Sequence, residues 1–361
     1  MSLELRSPLD KEVGSLSGEE HLRAVLEWHF GEQTGSPFWL RKAAGLGFDP
    51  RTDITTLADL RHFPDVSEEL RKVPVDDLFP AGCAGRPFGV YESGGTLGTP
   101  KRIVESSSRT RALDWVSSVL TDHGFPMGSH WLHIGPTGPH IVGRSMRTLA
   151  EARGGVCFTI DFDPRWVKRL IADGRRDEAD AYVQHVLDQA ELIVETQRVG
   201  VLFITPPVLE ALCARPELHD RLKGQLRGLI WSGTSISPTT LRLVEEEFFP
   251  DTAVVGLYGN SLMGIAPQLP HGSYDGYRCV FRTHQPQAMV EVIDPDNGLR
   301  VPVGERGRVL VHLLSQDMFL PNVAERDSVI RVGTPEGALG DDIAEIRPYS
   351  PAGSTIIEGV Y

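Results

Sequence analysis

The chain has 361 residues, of which 40% are hydrophobic and 24% charged, and its formal net charge is −13. This composition is typical of a globular protein with a sizeable core, and the acidic balance without a basic stripe excludes general nucleic-acid binding. No apolar run approaches the ~20 residues of a membrane span, so we predict no membrane association.

The cysteines and the start of the chain predict its compartment. Cys83, Cys157, Cys213 and Cys279 are scattered without a Cys-x-x-Cys pair. This pattern favours buried thiols over a disulfide or zinc framework. Met1 is followed by a polar segment rather than by the apolar core of a signal peptide. We therefore predict a cytoplasmic protein.

A glycine-rich stretch follows about 80 residues of predicted helix and loop. Three glycines and three hydroxyl residues lie within the nine positions from Ser93 to Lys101. Because glycine lacks a Cβ, the backbone N–H groups of such a stretch can approach a phosphate chain closely. Pro100 stands where the Walker pattern needs its second glycine. The stretch is therefore either a different nucleotide loop or an ordinary glycine-rich turn.

Helices and strands alternate from about residue 100 to residue 260. The apolar patterns and cap residues predict helices at 106–120, 144–152, from 163, 177–197, 208–213 and from 237, and strands at 131–134, 156–160, 199–205, 229–231 and 253–257. Strands that alternate with helices of about 10–15 residues predict β-α-β units and a parallel sheet. Ligands of such sheets bind beyond the carboxyl ends of the strands. We therefore expect the loops after Ile134, Thr205, Trp231 and Leu257 to lie near one site.

The last third of the chain has a different pattern. Alternating or apolar strands are predicted at 289–293 and 308–312, with the turn sequence Asp-Pro-Asp-Asn-Gly at 294–298 between them. This pattern predicts a β-rich subdomain of meander type. The expected organisation is an α/β region over residues 1–265, which binds nucleotide and substrate, followed by the β-rich subdomain over residues 266–361.

The glycine-rich stretch, taken with loops further along the chain, resembles the adenylate-forming enzymes: acyl- and aryl-CoA ligases, peptide-synthetase adenylation domains and luciferases. The chain looks most like the branch of phenylacetate-CoA ligases and acyl-protein synthetases. The family's phosphate loop has a Thr/Ser-Ser-Gly-Thr-Thr-Gly-x-Pro-Lys character, and residues 93–101 match it without a gap, except that Gly94 and Leu97 replace hydroxyl residues. The resemblance implies ATP and AMP as ligands, with Thr96 and Lys101 as catalytic residues and Ser93, Gly94, Gly95 and Gly98 as nucleotide-binding residues.

Two further motifs lie in register with the first. Residues 232–237, Ser-Gly-Thr-Ser-Ile-Ser, resemble the family's adenine-side loop, and residues 258–262, Tyr-Gly-Asn-Ser-Leu, resemble its Tyr-Gly-x-Thr/Ser-Glu motif. By resemblance, Tyr258 flanks adenine and Ser261 faces the phosphates as a catalytic residue. Leu262 replaces the glutamate that the family associates with magnesium, so Mg²⁺ is expected as a cofactor without a metal ligand from this chain. The nucleotide-binding residues implied here are Ser232, Gly233, Thr234, Tyr258, Gly259 and Asn260.

The ribose position has two candidate matches. The family carries an aspartate for the ribose hydroxyls after a Leu-Pro segment, and here the Leu-Pro pair at 320–321 is followed by Asp327. Asp341 or Asp342, in a Gly-Asp-Asp run, is the rival placement. A carboxylate suits ribose because it accepts two hydroxyl hydrogen bonds. We favour Asp327.

The acid-binding position is implied by the loop at 135–140. This loop, Gly-Pro-Thr-Gly-Pro-His, occupies the position of the family's loop near the carboxylate substrate. Gly138, His140 and Leu262 are therefore the expected substrate-binding residues, and His140 also belongs to the expected catalytic set. The alternative for His140 is a hydrogen-bonded loop histidine.

The resemblance covers roughly residues 90–345 and implies an ATP-dependent enzyme that activates an aryl or related carboxylic acid as an acyl-adenylate. The chain ends at Tyr361, and the small C-terminal domain that normally follows is expected to be absent. Short family members of this kind are found in pathways that build aromatic natural products such as phenazines, which suggests antibiotic biosynthesis. We expect the activated acid to pass to a downstream acceptor or reductase protein, and we leave open whether the chain forms oligomers.

Three alternatives stay open. The first is a nucleotide-binding homologue with little or no turnover, because Leu262 replaces the motif glutamate. The second is an acyl-protein synthetase in which a cysteine, with Cys83 as the nearest to the loop in sequence, carries the acyl group. The third is an unrelated α/β enzyme that binds a phosphorylated substrate; a hydrolase is not supported, since the chain lacks a Gly-x-Ser-x-Gly motif.

Overall fold

A computed structural model of the chain describes residues 9, 16–93, 99–270 and 277–349. The α-helices of this part are α1 (Gly18–Phe30), α2 (Pro37–Ala43), α3 (Ser108–Asp122), α4 (Ile141–Ala152), α5 (Pro164–Ala172), α6 (Arg176–Thr196), α7 (Pro206–Cys213), α8 (Pro216–Gln225) and α9 (Pro238–Leu243). The strands are β1 (Gly89–Glu92), β2 (Arg102–Glu105), β3 (Trp131–Gly135), β4 (Cys157–Asp161), β5 (Val201–Ile204), β6 (Gly228–Ser232), β7 (Ala253–Asn260), β8 (Gly264–Pro267), β9 (Val280–Phe281), β10 (Ala288–Ile293), β11 (Arg306–Leu314), β12 (Phe319–Val332) and β13 (Asp342–Pro348). None of the helices in these residues is long and apolar enough to cross a membrane.

The chain divides into two compact units whose segments alternate along the sequence. The first unit comprises residues 1–112, 260–264 and 283–343, and the second comprises residues 113–259, 265–282 and 344–361. Helix α3 and strand β13 each begin in the first unit and continue in the second. The division at residue 265 that we expect from the sequence stays a prediction.

The second unit is built on a six-stranded sheet in the order β4-β3-β5-β6-β7-β8. Strands β4, β3, β5, β6 and β7 run parallel to one another in this order. Every residue of β3, β5 and β6 is buried, as expected where helices cover both faces of a parallel sheet. The predicted parallel sheet is confirmed.

Helices α3 and α4 each bury an apolar face in this sheet. Leu113, Val116 and Leu120 of α3 and Met146 and Leu149 of α4 join the strand residues in one core. Their spacing of three or four residues puts them on one side of each helix. Because the helices cover the sheet, its polar residues concentrate in the loops at the strand ends.

The first unit contains the predicted meander. Strands β10, β11 and β12 are antiparallel neighbours. Aromatic rings of α1, of α2 and of the segment after α2 pack against β12: the ring centroids of Trp39 and Phe63 each lie 5.2 Å from that of Phe319, and that of Phe30 lies 5.8 Å away. The combination of a parallel sheet flanked by helices with a separate antiparallel sheet confirms the predicted α/β class with a β-rich part.

The sequence prediction missed several elements. Strands β1 and β2 have four residues each, which is too short for an alternating pattern to be recognised. Helix α8 was missed because its sequence is mostly polar, and only Leu218 and Leu222 among its residues are buried. The predicted helix from Ser237 is present as α9 and continues as a π-helical turn at Val244–Phe248.

Candidate active site

In the second unit, the predicted site residues lie at the carboxyl ends of parallel strands. Ser232 ends β6 and is paired in register with Leu257 of β7. The Ser232 hydroxyl donates a hydrogen bond of 2.7 Å to the carbonyl oxygen of Leu257. This bond joins the two strands at the point where both motif loops begin. It therefore brings residues 232–234 next to the Tyr258-Gly259 pair.

The loop after β6 turns sharply and leaves a buried hydroxyl. Gly233 has a φ of 90°, a conformation that glycine adopts without strain. The Oγ1 atom of Thr234 is buried and has no hydrogen-bond partner in the described part of the chain. Thr205, which follows β5, is 2% exposed, and its Oγ1 atom has no such partner either. Because a buried hydroxyl without a partner is costly, both positions suit a polar ligand group.

Thr205 was not among the predicted site residues. Its position directly after a buried strand, before Pro206-Pro207, was the signal that could have identified it.

Tyr258 packs as a core aromatic residue. Its ring lies 6.3 Å from that of Phe281, and the ring of Trp231 lies 6.2 Å from the same phenylalanine. Tyr258 is 9% exposed, whereas Gly259 beside it is exposed. The packing fixes the tyrosine at the end of β7, and its contact with adenine stays a prediction.

The loop after β3 is held by Asp161 at the end of β4. The backbone N and the Oγ1 atom of Thr137 donate to Asp161 Oδ1 at 3.1 and 2.6 Å. The N–H of His140 then donates to the Thr137 carbonyl at 2.9 Å, which closes a turn around the exposed Gly138. His140 caps the 12-residue helix α4. A helix N-terminus favours negative charge, so this loop suits a carboxylate.

His133 is a structural histidine. Its side chain lies within β3, stacks on Phe203 at 4.6 Å, and has Nε2 3.3 Å from the carbonyl oxygen of Pro136. Burial lowers its pKa to about 4. The ring is therefore neutral at pH 7 and belongs to the core of the sheet.

In the first unit, the two ends of the glycine-rich stretch are joined. The N–H of Ser93 donates to the carbonyl oxygen of Lys101 at 3.0 Å, and the N–H of Lys101 donates to Ser93 Oγ at 2.9 Å. These bonds extend the pairing of β1 with β2, in which Glu92 is opposite Arg102. The predicted residues Gly94, Gly95, Thr96 and Gly98 lie outside the described residues.

Lys101 has specific partners rather than a solvated side chain. Its Nζ atom donates to Ser67 Oγ at 2.9 Å and lies 3.3 Å from Glu68 Oε1. Burial and the neighbouring Asp327 raise the pKa of Glu325, and the charge of Lys101 opposes this rise. Lys101 therefore acts on the carboxyl group of Glu325 as well as on that of Glu68.

The Ser261 motif lies beside the start of the glycine-rich stretch. Ser261 Oγ donates to the Glu92 carbonyl at 3.1 Å, although the two residues are 169 positions apart along the chain. Asn260 Oδ1 accepts from the backbone N atoms of Leu262 and Met263 at 3.0 and 2.7 Å, which fixes the turn. Two motifs predicted to act together are therefore in contact.

Leu262 gives no oxygen ligand at the position of the family's glutamate. Its side chain is 3% exposed. No group of three or more His, Cys, Asp or Glu residues within the described ranges is arranged to hold a metal ion. Since Mg²⁺ requires oxygen ligands, the residues at this position do not fit a metal held by the protein.

The rival ribose residues differ in their surroundings. Asp341 is 1% exposed; its Oδ1 atom lies 2.7 Å from Arg331 Nε and pairs with Arg300, while Oδ2 accepts from the N–H of Val292 at 2.9 Å. Asp342 is fully buried, whereas Asp327 is only half-buried on β12. The contacts of Asp341 are those of a structural carboxylate.

The cysteines have the properties of structural thiols. Cys83 is 1% exposed. Burial raises the pKa of Cys157 to about 11 and those of Cys213 and Cys279 to about 12. The nucleophile is the thiolate, so these three groups are unreactive at neutral pH.

Comparisons with known proteins agree with the fold. The chain is 25% identical over 252 residues to a medium/long-chain fatty-acid–CoA ligase of Mycobacterium tuberculosis, and the match covers 68% of this chain and 39% of that protein. A 2-hydroxyisobutyryl-CoA ligase in complex with 2-HIB-AMP and CoA superimposes with a TM-score of 0.60 at 18% identity, over 90% of this chain and 65% of that chain. An open conformation of the same ligase gives 0.60 over 91% and 72%. No protein-family model matches the chain.

The chain has the fold of the adenylate-forming enzymes. It spans about two-fifths of the curated ligase and about two-thirds of the ligase captured in the thioesterification state. The phenylacetate-CoA ligase branch and the roles of individual residues stay predictions.

Proposed function

We propose that this chain binds ATP and activates a small carboxylic acid as an acyl-adenylate. The observation that carries the proposal is the hydrogen bond from Ser261 to the carbonyl of Glu92, which brings the Tyr-Gly-x-Ser motif to the glycine-rich stretch. The sequence similarity to a CoA ligase and the shared fold support the same reaction.

The reaction is attack of a carboxylate oxygen on the α-phosphorus of ATP, with pyrophosphate as the leaving group. Charge develops on the phosphoryl oxygens, so catalysis consists mainly of positioning and electrostatic stabilisation. Lys101 would supply a positive charge beside the glycine-rich stretch, and the hydroxyls of Ser93 and Ser261 would supply polar contacts. In the second unit, the loop that ends at His140 would receive the acid at the N-terminus of α4.

The ribose and the metal make different demands on the chain. We assign the ribose hydroxyls to Asp327, because Asp341 is already bound by two arginine side chains and a backbone N–H. Mg²⁺ neutralises phosphate charge when it enters with ATP. Because residue 262 is a leucine, we assign no ligand of this chain to the metal.

The finer parts of the proposal are the substrate class, the pathway and the acceptor. We propose an aryl acid as substrate, a role in natural-product or antibiotic biosynthesis, transfer to an acceptor or reductase protein, and a cytoplasmic location. These parts depend on the resemblance in the motif sequences.

ATP–pyrophosphate exchange with a panel of aryl and fatty acids tests the proposal, with mass spectrometry for the acyl-adenylate as a second readout. We expect exchange with at least one aryl acid and a loss of about ten-fold or more on Lys101→Met. Absence of exchange with every acid, together with no ATP binding in calorimetry, would contradict the proposal.

A second candidate is a nucleotide-binding homologue without turnover, and the buried Leu262 favours it. AMP binding without exchange for any acid would support that candidate. The acyl-protein synthetase alternative loses support, because the proposed carrier Cys83 is 1% exposed.

A further inference from the structure

We propose that Ser67 and Glu68 are positioning residues that hold the ammonium group of Lys101 beside the glycine-rich stretch before ATP binds. The inference rests on the proposed function of Lys101 and goes beyond the motifs, since neither Ser67 nor Glu68 belongs to any of them. All the residues involved lie in the first unit.

The ammonium group is held by two acceptors of different character. Ser67 is 2% exposed, and its Oγ atom accepts from Lys101 Nζ at 2.9 Å. Glu68 Oε1 lies 3.3 Å from the same Nζ atom, and the side chain of Lys101 is 13% exposed while that of Glu68 is 72% exposed. A buried neutral acceptor therefore fixes the position of the ammonium, and an exposed carboxylate balances its charge.

The same segment also contacts the backbone at Thr99. Arg71 Nε donates to Glu68 Oε2 at 2.6 Å, and its NH1 group donates to the carbonyl oxygen of Thr99. Glu68 thus contacts both Arg71 and Lys101, and the salt bridge with Arg71 lowers the pKa of Glu68. Ser67 is itself fixed, because its N–H donates to Asp65 Oδ1 at 2.8 Å.

This arrangement has a consequence for catalysis. A lysine side chain loses considerable rotamer freedom when it is ordered. Ser67 and Glu68 order it in advance, so the phosphate chain meets a cation that is already placed. An ammonium has three N–H donors, and two face these acceptors. The third is left for the phosphate oxygens.

The test is a set of variants in ATP–pyrophosphate exchange. We expect Ser67→Ala to lower kcat about ten-fold, because it removes a hydrogen bond to a charged group. Glu68→Gln should lower kcat about two- to five-fold, because an exposed ion pair contributes less. Both variants should keep the KM for ATP within about two-fold, and Ser67→Thr should restore most of the rate, since positioning acts in the transition state.

The matched control is Glu69→Gln. Glu69 is adjacent to Glu68, is half-exposed, and pairs with Lys42 at 2.6 Å. Its substitution should leave the exchange rate unchanged.

A double-mutant cycle gives the decisive result. In a Lys101→Met background, Ser67→Ala and Glu68→Gln should have no further effect, because the group that they position is gone. Effects that add to that of Lys101→Met, or variants indistinguishable from wild type, would overturn the positioning role while the proposed function stands. If the wild type shows no exchange, the proposed function fails, and the positioning role fails with it because it acts on that reaction. Absence of ATP binding would overturn both.

Discussion

The two compact units hold their candidate residues by different means. In the second unit, Ser232, Thr234 and Tyr258 are placed by the ends of buried parallel strands, so the backbone of the sheet does most of the positioning. In the first unit, Lys101 and Ser261 are placed by side-chain contacts with segments far away in the chain. Substitutions in the second unit should therefore act through stability, whereas those in the first unit can act on the ligand alone.

The largest expected effect is in the core of the second unit. Phe203 of β5 is 2% exposed and stacks on His133. Phe203→Ala should lower the free energy of unfolding by about 3–5 kcal/mol, because it removes a buried ring and leaves a cavity. Urea unfolding measures this change. The control is Phe158→Ala, at a half-buried position of β4, which should lower the free energy of unfolding by less than half as much. Equal decreases for the two variants would contradict the view that the buried strands hold the second unit together.

Substitutions of the two candidate ribose residues in the first unit should have different effects. Loss of Asp341 should lower the stability, and loss of Asp327 should weaken ATP binding. Asp341→Ala leaves two arginines without their buried partner and should cost roughly 3–5 kcal/mol of stability. Asp327→Ala should cost less stability than Asp341→Ala and should weaken ATP binding about ten-fold, as expected for the loss of hydrogen bonds to a charged group. Thermal unfolding and calorimetry measure the two effects. The reverse pattern would assign the ribose to Asp341.

Acid should weaken both units through buried neutral histidines. Burial lowers the pKa of His133 in the second unit, and of His29, His284 and His312 in the first, from 6.5 to about 4. The unfolded chain binds a proton below pH 6.5, whereas the folded ring does so only near pH 4, so stability falls as the pH drops through this window. Each ring should cost roughly 2 kcal/mol between pH 7 and pH 5.

Hydrogen exchange of β5 and β12 amides at the two pH values checks this prediction unit by unit. The variants His133→Gln and His312→Gln remove one titrating ring each, and each should flatten the pH dependence of its own unit. If the pH dependence of stability is unchanged in both variants, groups other than these two histidines cause it.

A smaller change in stability is expected at Ser261. Ser261→Ala removes one hydrogen bond, to the carbonyl of Glu92, and should cost about 1 kcal/mol. Its effect on ATP–pyrophosphate exchange should be larger than this cost explains if the hydroxyl faces the phosphates. If the loss in kcat/KM, expressed as a free energy, equals the loss in stability, Ser261 has only a structural role.

The elements of the second unit were predicted well because short local patterns in the sequence define them. The apolar runs at 131–134 and 229–231 and the caps at Asp163 and Ser237 each define an element without reference to distant residues. The polar residues after these strands then follow from the geometry of parallel sheets.

The contacts of the first unit were not predictable in the same way. Ser67 and Lys101 are 34 positions apart, and Ser67 lies in no recognisable motif. The structural role of Asp341 depends on Arg331 and on the backbone of Val292, which no local pattern reveals. The burial of Leu262 and Cys83 also required the packed structure, because both look equally acceptable at an exposed position in the sequence.

The alternation of the two units along the chain has a consequence for synthesis on the ribosome. Most of the second unit is one continuous block, residues 113–259. In the first unit, the rings of Trp39 and Phe63 cannot pack against Phe319 until that residue has been synthesised. At translation rates of about 5–20 residues per second, this delay lasts on the order of ten seconds to a minute. The N-terminal aromatic residues are therefore exposed in the nascent protein while the parallel sheet is already able to form, and they are the segment on which a chaperone would act.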